Sequence, residues 1–284
     1  LYQETLVIAM EQQGTNSNIV LQILDQYGRF FAELGEYEMA DVVHEKAYII
    51  SSEALGAKDP RTIMRLQTLA NNDADLQRYE LAEQRLQDAQ ATLVTAVGAE
   101  ALPTINVLED LAQLYQRQGK LRPALEPLEQ SYALRTKVQG PEETQTLETK
   151  ERLAELYRQL GRPDEAESMF LEVIATAEQL LGIADPLVID AKSHLAQLYE
   201  NTNNFVASLR YYQEVYEIDQ QILGDAHPNT AGDLNNLAGI YRRLGQLQQS
   251  EATYRRALQV MSAALGEGAP QTISIMNNLA LILE

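Results

Sequence analysis

The stretch "GDAHPNTAGDLNNLAGIY", residues 224–241, gathers a histidine, an acid, a proline turn and two adjacent asparagines. Such a group suits a chemical site, and it suits a joint between two helices equally well. The rest of the chain decides between them, because it repeats the stretch. Gly14, Gly56, Gly98, Gly140, Gly182, Gly224 and Gly266 recur every 42 residues. Four residues after the glycine come Pro60, Pro186, Pro228 and Pro270. At +14 stand Gly28, Ala70, Ala112, Ala154, Ala196, Ala238 and Ala280, and at +17 Phe31, Asp73, Tyr115, Tyr157, Tyr199, Tyr241 and Leu283. At +26 the series is Ala40, Ala82, Ala124, Ala166, Ser208 and Ser250.

Each slot has a physical reason. The periodic glycine takes a left-handed conformation that ends a helix and caps its free carbonyls. Proline at +4 suits the first turn of the next helix, and Asp59 or Asp185 just before it can cap. A small residue at +14 lets two helices approach, and the aromatic at +17 fills the space beside it. Gly35, Gly119, Gly161 and Gly245 at +21 form a second helix stop, with Asn203 as a substitute. Apolar residues recur at helical spacing on both sides of that stop, as in Leu153, Leu156, Tyr157 and Leu160. Each block therefore reads as helix A, tight turn, helix B, short loop.

Composition agrees. Aromatic residues make up 6% of the chain, Trp is absent, and Ala, Leu, Gln and Glu abound, a mixture that favours helix over sheet. No run approaches the ~18 apolar residues a membrane helix needs. Neither end resembles a secretory signal. The absence of cysteine excludes disulfides and thiolate chemistry, and it points to a reducing, cytoplasmic setting. A net charge of −19 argues against nucleic-acid and anionic-membrane partners, both of which reward a basic surface.

A period of this length also admits armadillo repeats, HEAT repeats and propeller blades. The slots discriminate. Leu234-x2-Leu237-Ala238-x2-Tyr241 follows the tetratricopeptide pattern W-x2-L-G-x2-Y, and Ala166-x3-Phe170 and Ser250-x3-Tyr254 supply its second half. The extra residues beyond the usual period of about 34 lengthen helices and loop. The run "LGDAHPNTAGDLNNLAGIYRRLGQL…YRRAL" resembles the long tetratricopeptide repeats of the kinesin light chain type, found also in bacterial and fungal signalling proteins. The likeness spans the whole chain; it is strongest at 182–284 and weakest at 56–97, where Asp73 and Gln77 break two slots. It implies an all-α fold, an α-solenoid with a right-handed superhelix of antiparallel helix-turn-helix repeats. The array is expected to run unbroken through 1–284. An orphan helix B over 1–13 precedes six repeats at 14–55, 56–97, 98–139, 140–181, 182–223 and 224–265, and a partial repeat follows at 266–284. In that last piece Ile275, Leu279, Ile282 and Leu283 are expected to lack the helix that should cover them. With no initiator Met, the chain reads as a fragment of a longer one. Pro127, inside a helix B, is expected to bend it.

Catalytic motifs are missing: there is no P-loop, HExxH, nucleophile elbow or Gly-rich dinucleotide turn. Of three histidines, His227 occupies a turn slot, His44 replaces a packed aromatic at +30, and His194 stands on helix A. The expectation is a non-enzyme without metal or cofactor, acting as a protein-interaction scaffold.

The resemblance implies that helix A lines a concave groove with positions +8, +11, +12, +15 and +18 facing a bound segment. Those slots give Asp25 and Arg29, then Asn71, then Asn106, Glu109, Asp110 and Gln113. The next block contributes Glu148, Glu151, Arg152, Glu155 and Arg158, followed by Asp190, His194, Gln197 and Glu200. Asn235, Asn236, Arg242, Asn277 and Asn278 complete the set. An amide both donates and accepts, so asparagines there can serve the backbone of an extended peptide; they can equally join neighbouring helices. Acid is concentrated, with ten acids and four bases in 140–181 against three and four in 224–265. Glu155 is expected to pair with Arg158 and Glu148 with Arg152, while Glu151 and Glu155 repel. The partner expected is a protein or peptide of basic or mixed charge. Kinesin light chains take Trp-and-acid motifs with basic residues, and this groove departs from that pattern; Asn106, Glu109 and Asp110 likewise cannot form the carboxylate clamp of chaperone-binding repeats. The likeness also admits a second role, as the sensor arm of a larger nucleotide-switch ATPase or caspase-like protease.

Overall fold

The computed structural model describes residues 2–283. Among them lie fourteen α-helices and no strand. The second helices of the hairpins are α1 (Tyr2–Gln13), α3 (Tyr37–Leu55), α5 (Tyr79–Ala96), α7 (Leu121–Val138), α9 (Pro163–Leu180), α11 (Phe205–Leu223) and α13 (Leu247–Leu265). The first helices are α2 (Asn18–Glu33), α4 (Pro60–Asp75), α6 (Leu102–Arg117), α8 (Thr144–Gln159), α10 (Pro186–Asn201), α12 (Pro228–Arg243) and α14 (Pro270–Leu283). Contacts gather into two compact units, Leu1–Pro141 and Glu142–Glu284. Each is an all-α solenoid in which every helix packs on the next in sequence.

The two glycine series do different work. At the ends of α3, α11 and α13, Gly56, Gly224 and Gly266 have φ of 93, 85 and 88° with ψ of 151, 167 and 160°. That combination is open essentially to glycine alone, so it is the extended mirror region and not the helical left-handed one expected. The +21 series sits near φ 71–76°, and there Asn203 (φ 61°) and even Gln77 (φ 59°) substitute. The break at Gln77 is one of side-chain type only; the backbone keeps the same path. At each of these stops the amide at +22 donates to the carbonyl at +17, as from Arg78 to Asp73 at 2.7 Å and Gln246 to Tyr241 at 2.9 Å.

Several of the first helices start where a side chain takes over an orphan amide. Asp59 accepts from the Arg61 N–H and Asp185 from the Leu187 N–H, both at 2.9 Å, and His227 Nδ1 accepts from the Asn229 N–H at 3.1 Å. His227 is thus a cap, filling the aspartate slot. At +6, Thr104, Thr230 and Thr272 donate their hydroxyls to the carbonyls of Gly98, Gly224 and Gly266 at 2.8, 3.0 and 2.8 Å. In these three repeats the carbonyl of the periodic glycine is therefore paired by a side chain from the following helix.

Packing within a hairpin rests on small residues. At +26, Ala40, Ala82, Ala124, Ala166, Ser208 and Ser250 have no exposed surface, and at +14 Ala70, Ala154, Ala196 and Ala238 have none either. The helices approach so closely that the Ser250 hydroxyl donates to the Ala238 carbonyl at 2.6 Å. The +30 slot fills the space above with Leu86, Leu128, Phe170, Tyr212 or Tyr254, all buried. In the first hairpin the same space is made by Gly28 and filled by the buried His44 ring, whose Nδ1 lies 2.7 Å from the Asn72 amide. A Cβ on Gly28 would fall 2.1 Å from His44 Nε2.

The +17 aromatic reaches back to the preceding helix B: Tyr115 donates to Glu83 at 2.9 Å and Tyr199 to Glu167 at 2.6 Å. At the broken slot Asp73 has no exposed side-chain surface and is held by Arg85 at 2.7 Å and Arg78 at 3.6 Å. Burial still pushes its carboxyl above the usual range against the pull of Arg85.

One further expectation needs correction. Ile275 and Leu279 do not lack cover: they are 2% and 7% exposed, because they pack with Tyr254 and Met261 of α13 and with Ala231, Leu234 and Ala238 of α12. Ile282 packs against the same cluster, and of the four only Leu283 is left exposed. Pro127 stands inside α7, which continues as helix from Leu121 to Val138.

Candidate functional site

The first helices carry the candidate residues, and in both units many of these residues are already engaged. In the first unit Asp25 receives a two-pronged contact from Arg65, Nε to Oδ1 at 3.0 Å and Nη2 to Oδ2 at 2.6 Å. Arg65 is anchored further by Ser51 and by the Arg61 carbonyl. Asn106 and Glu109 turn toward α7: Arg135 donates to them at 2.7 and 2.6 Å, and Ser131 donates to Glu109 at 2.7 Å. Asp110 accepts from the Gln67 amide at 3.0 Å. Arg29, Asn71 and Gln113 are exposed. A cavity of about 610 Å3 brings Asp25, Arg29 and Asn71 together with Arg61, Met64 and Arg65. Met64 is 59% exposed, an apolar side chain set beside guanidinium groups.

In the second unit Glu148 and Arg152 are exposed, whereas Glu151 is 8% exposed. The repulsion expected between Glu151 and Glu155 is offset, because each carboxylate has its own partner. Glu151 lies 2.5 Å from His194 Nδ1, and Glu155 accepts two hydrogen bonds from Arg158, both at 2.6 Å, and one from Gln159. Burial opposes charge on both Glu155 and His194, but the contacts win. The Glu155 carboxyl is held below its ordinary value by Arg158 and Gln159, and the His194 pKa is raised by Glu151 and Glu155. The pKa of Asp190 is raised, first by desolvation and then by the charges of Glu151 and Asp219. Gln197, Glu200 and Arg242 are half-buried; Arg242 Nε is enclosed without an acceptor.

Asn278 donates to Asn235 at 3.0 Å, while Asn236 and Asn277 stay exposed. So one asparagine of each adjacent pair joins helices, and the other faces solvent. Asn235 and Asn236 also border a shallow cavity of about 480 Å3 with Gly232, Gln271 and Ile275.

A rule emerges that the sequence did not disclose. Gln67 with Asp110, Glu151 with His194, and Asn235 with Asn278 are each 43 residues apart, joining +11 of one repeat to +12 of the next. Sequence reading placed both slots on the groove; one function of the pair is to tie successive first helices together. Also missed were Arg61, Met64 and Arg65, and Lys192, which is 6% exposed and bound by Glu178 at 2.8 Å and Glu214 at 2.7 Å. Lys192 with Glu214 repeats Lys150 with Glu172 one period earlier, +10 to +32, a signal the sequence carries. Asp25 with Arg65 joins +11 to +9 of the next block, where Gln67 and Val107 stand one period later.

The profile of the tetratricopeptide repeat matches residues 66–137, 104–179, 142–221 and 232–284, together well over half of the chain. The chain belongs to the tetratricopeptide repeat family. Among solved structures this tetratricopeptide chain is similar to a Podosopora anserina protein of kinesin light chain type with nearly identical TPR-like repeats, at 22% identity and TM-score 0.66, covering 73% of this chain and 98% of that one. It is similar to BtubC (BKLC) from P. vanneervenii at 19% identity and TM-score 0.68, covering 86% and 92%. A third is a Signal Transduction ATPase with Numerous Domains from Pyrococcus horikoshii, which has a tetratricopeptide repeat sensor; identity is 14% and TM-score 0.69. That match covers 99% of this chain and 42% of the other. At these identities the likeness is one of fold. No curated protein matches in sequence. Tetratricopeptide repeats are protein-interaction modules, and the fold is generally a non-catalytic scaffold. Among the described residues no helix is long and apolar enough to cross a membrane.

Proposed function

We propose that the chain is a non-catalytic scaffold that takes a peptide or extended protein segment along the first helices of its repeats. One observation carries this reading. Asn71 and Gln113 in the first unit, and Glu148, Asn236 and Asn277 in the second, stand on first helices with their side chains open to solvent, while Gln67, Asp110, Glu151, His194, Asn235 and Asn278 are spent on internal bonds. Amides of this kind pair with both the N–H and the C=O of an extended chain. In the second unit Glu148 and Asp190 add negative charge, which favours a basic or mixed-charge segment there.

The test is fluorescence anisotropy with lysine-rich and acidic peptides of equal length, on the wild type and on Glu148→Lys with Asp190→Lys. The wild type should prefer the lysine-rich peptide, and the double variant should weaken that binding by about tenfold or more, with a shallower dependence on salt. Equal affinity for both proteins would remove these acids from the site.

A second reading is that the chain serves as the sensor arm of a larger signalling protein, such as a nucleotide-switch ATPase or caspase-like protease. The cover of 99% of this chain by a multidomain ATPase with a tetratricopeptide repeat sensor favours it. The full open reading frame decides it, since a parent without an effector domain would dismiss it.

A further inference from the structure

Where the second helix of one repeat meets the first helix of the next, slots +37 and +9 face each other. In the first unit this joint holds Leu93 and Val107, both wholly buried, or Ser51 and Arg65, joined at 3.2 Å. At the far end of the second unit it holds Met261 and Ile275, again buried. Between α11 and α12 the same joint holds two acids, Asp219 and Asp233. Asp219 is 7% exposed, and Asp233 Oδ2 is shut from solvent with no donor to satisfy it.

The joint sets the two carboxyls against each other, Asp219 buried and Asp233 Oδ2 enclosed without a partner, and each acts on the other's titration. Carboxylates only accept, so a hydrogen bond between two of them requires that one keep its proton. Two ionised groups there would also repel at short range and leave buried oxygens unpaired. We propose that Asp219 and Asp233 form a latch between α11 and α12, closed by one shared proton and loosened when rising pH removes it.

Among the described residues only Asp219 and burial act on the Asp233 carboxyl, and no cation does. Asp190 on α10 adds a further negative group near Asp219, and Tyr212 on α11 faces Asp233 with a phenol whose own pKa is raised, chiefly by burial. His227, at the cap of α12, acts favourably on Asp219 alone. From α13 and α14 the contacts to α12 include Tyr254, Met261 and Ile275. Burial first, then the charge and hydrogen bond of Asp219, push the Asp233 carboxyl up to about 7. A carboxyl whose folded pKa is raised stabilises most below its unfolded value near 3.8, and that contribution is lost as pH climbs through the folded value. The latch therefore weakens between acid and neutral pH and is fully open above neutrality.

Hydrogen exchange of the α11 and α12 amides, corrected for the intrinsic rate, tests it on the whole chain. In the wild type the local opening constant should rise by about tenfold per pH unit between about pH 5 and about pH 7 and then level off. Asp233→Asn keeps a donor toward Asp219 and should give a flat profile, with protection above the wild type at alkaline pH. Parallel profiles in the two proteins would overturn the proposal. Infrared spectra of the wild type give an independent reading should the variant not fold: a protonated carboxyl band present at mildly acid pH should disappear as pH passes neutrality. Its absence throughout would equally refute the latch.

Discussion

Gly28 is the residue on which the first hairpin turns. Other repeats put Ala at +14 under Leu, Phe or Tyr at +30, as in Ala70 with Leu86 and Ala112 with Leu128. Here the His44 ring lies where a methyl would be, 2.1 Å from its position. Gly28→Ala should therefore lower stability by about 1–3 kcal/mol through overpacking. Combining it with His44→Leu should restore most of that loss by recreating the Ala–Leu pair of the next two repeats. A double-mutant cycle by chemical denaturation measures it; additive effects would show that the two side chains do not collide. The histidines should also titrate apart. Burial lowers the pKa of His44, so the stability it permits is lost as pH falls below about 6.5 toward its folded value. Burial opposes charge on His194 too, yet Glu151 and Glu155 raise its pKa, so its contribution is complete below about 6.5 and fades as pH rises through the folded value. NMR titration should place the two on opposite sides of 6.5, with Glu151→Gln moving His194 downward.

At the scale of the helix, the connection between α4 and α5 carries a mismatch. Gln77 holds φ 59°, a region costly for a residue with a Cβ that is neither Asn nor Gly. Gln77→Gly should stabilise the first unit by about 1 kcal/mol, the strain released outweighing the greater freedom glycine adds to the unfolded chain. Thermal denaturation checks it, and a fall in midpoint would mean that the side chain contributes something the backbone angle does not reveal. The helices themselves were legible in the sequence because their punctuation is repeated: glycine, proline, alanine and tyrosine each recur at one register. Joints between helices were legible to the extent that steric size decides them, as at +14 and +26. Polar pairs were not. Asp25 with Arg65 obeys no period, Lys192 with Glu214 is matched only by Lys150 with Glu172 one repeat earlier, and the +11 to +12 bonds change chemistry at every step, from amide with acid to acid with imidazole to amide with amide.

For the whole molecule, family and architecture could be read from one chain because apolar packing repeats so faithfully along it. The candidate residues fall on first helices, as their slots require, but those slots are not uniformly free. In the folded chain Asn106, Glu109, Glu151, Glu155 and Asn235 are bound internally, whereas Glu148, Asn236 and Asn277 remain open. The bonds between successive first helices have one more consequence. Tandem modules are often treated as interchangeable beads, yet here three joints carry a chemical address readable only by the neighbour. If the block with Asp110 followed the one with Glu151, an acid would stand where His194 stands, and a handshake would become a repulsion. The order of the modules is thus written in the polar seam, and shuffling them would scramble the message even where the small residues at +14 and +26 still fit.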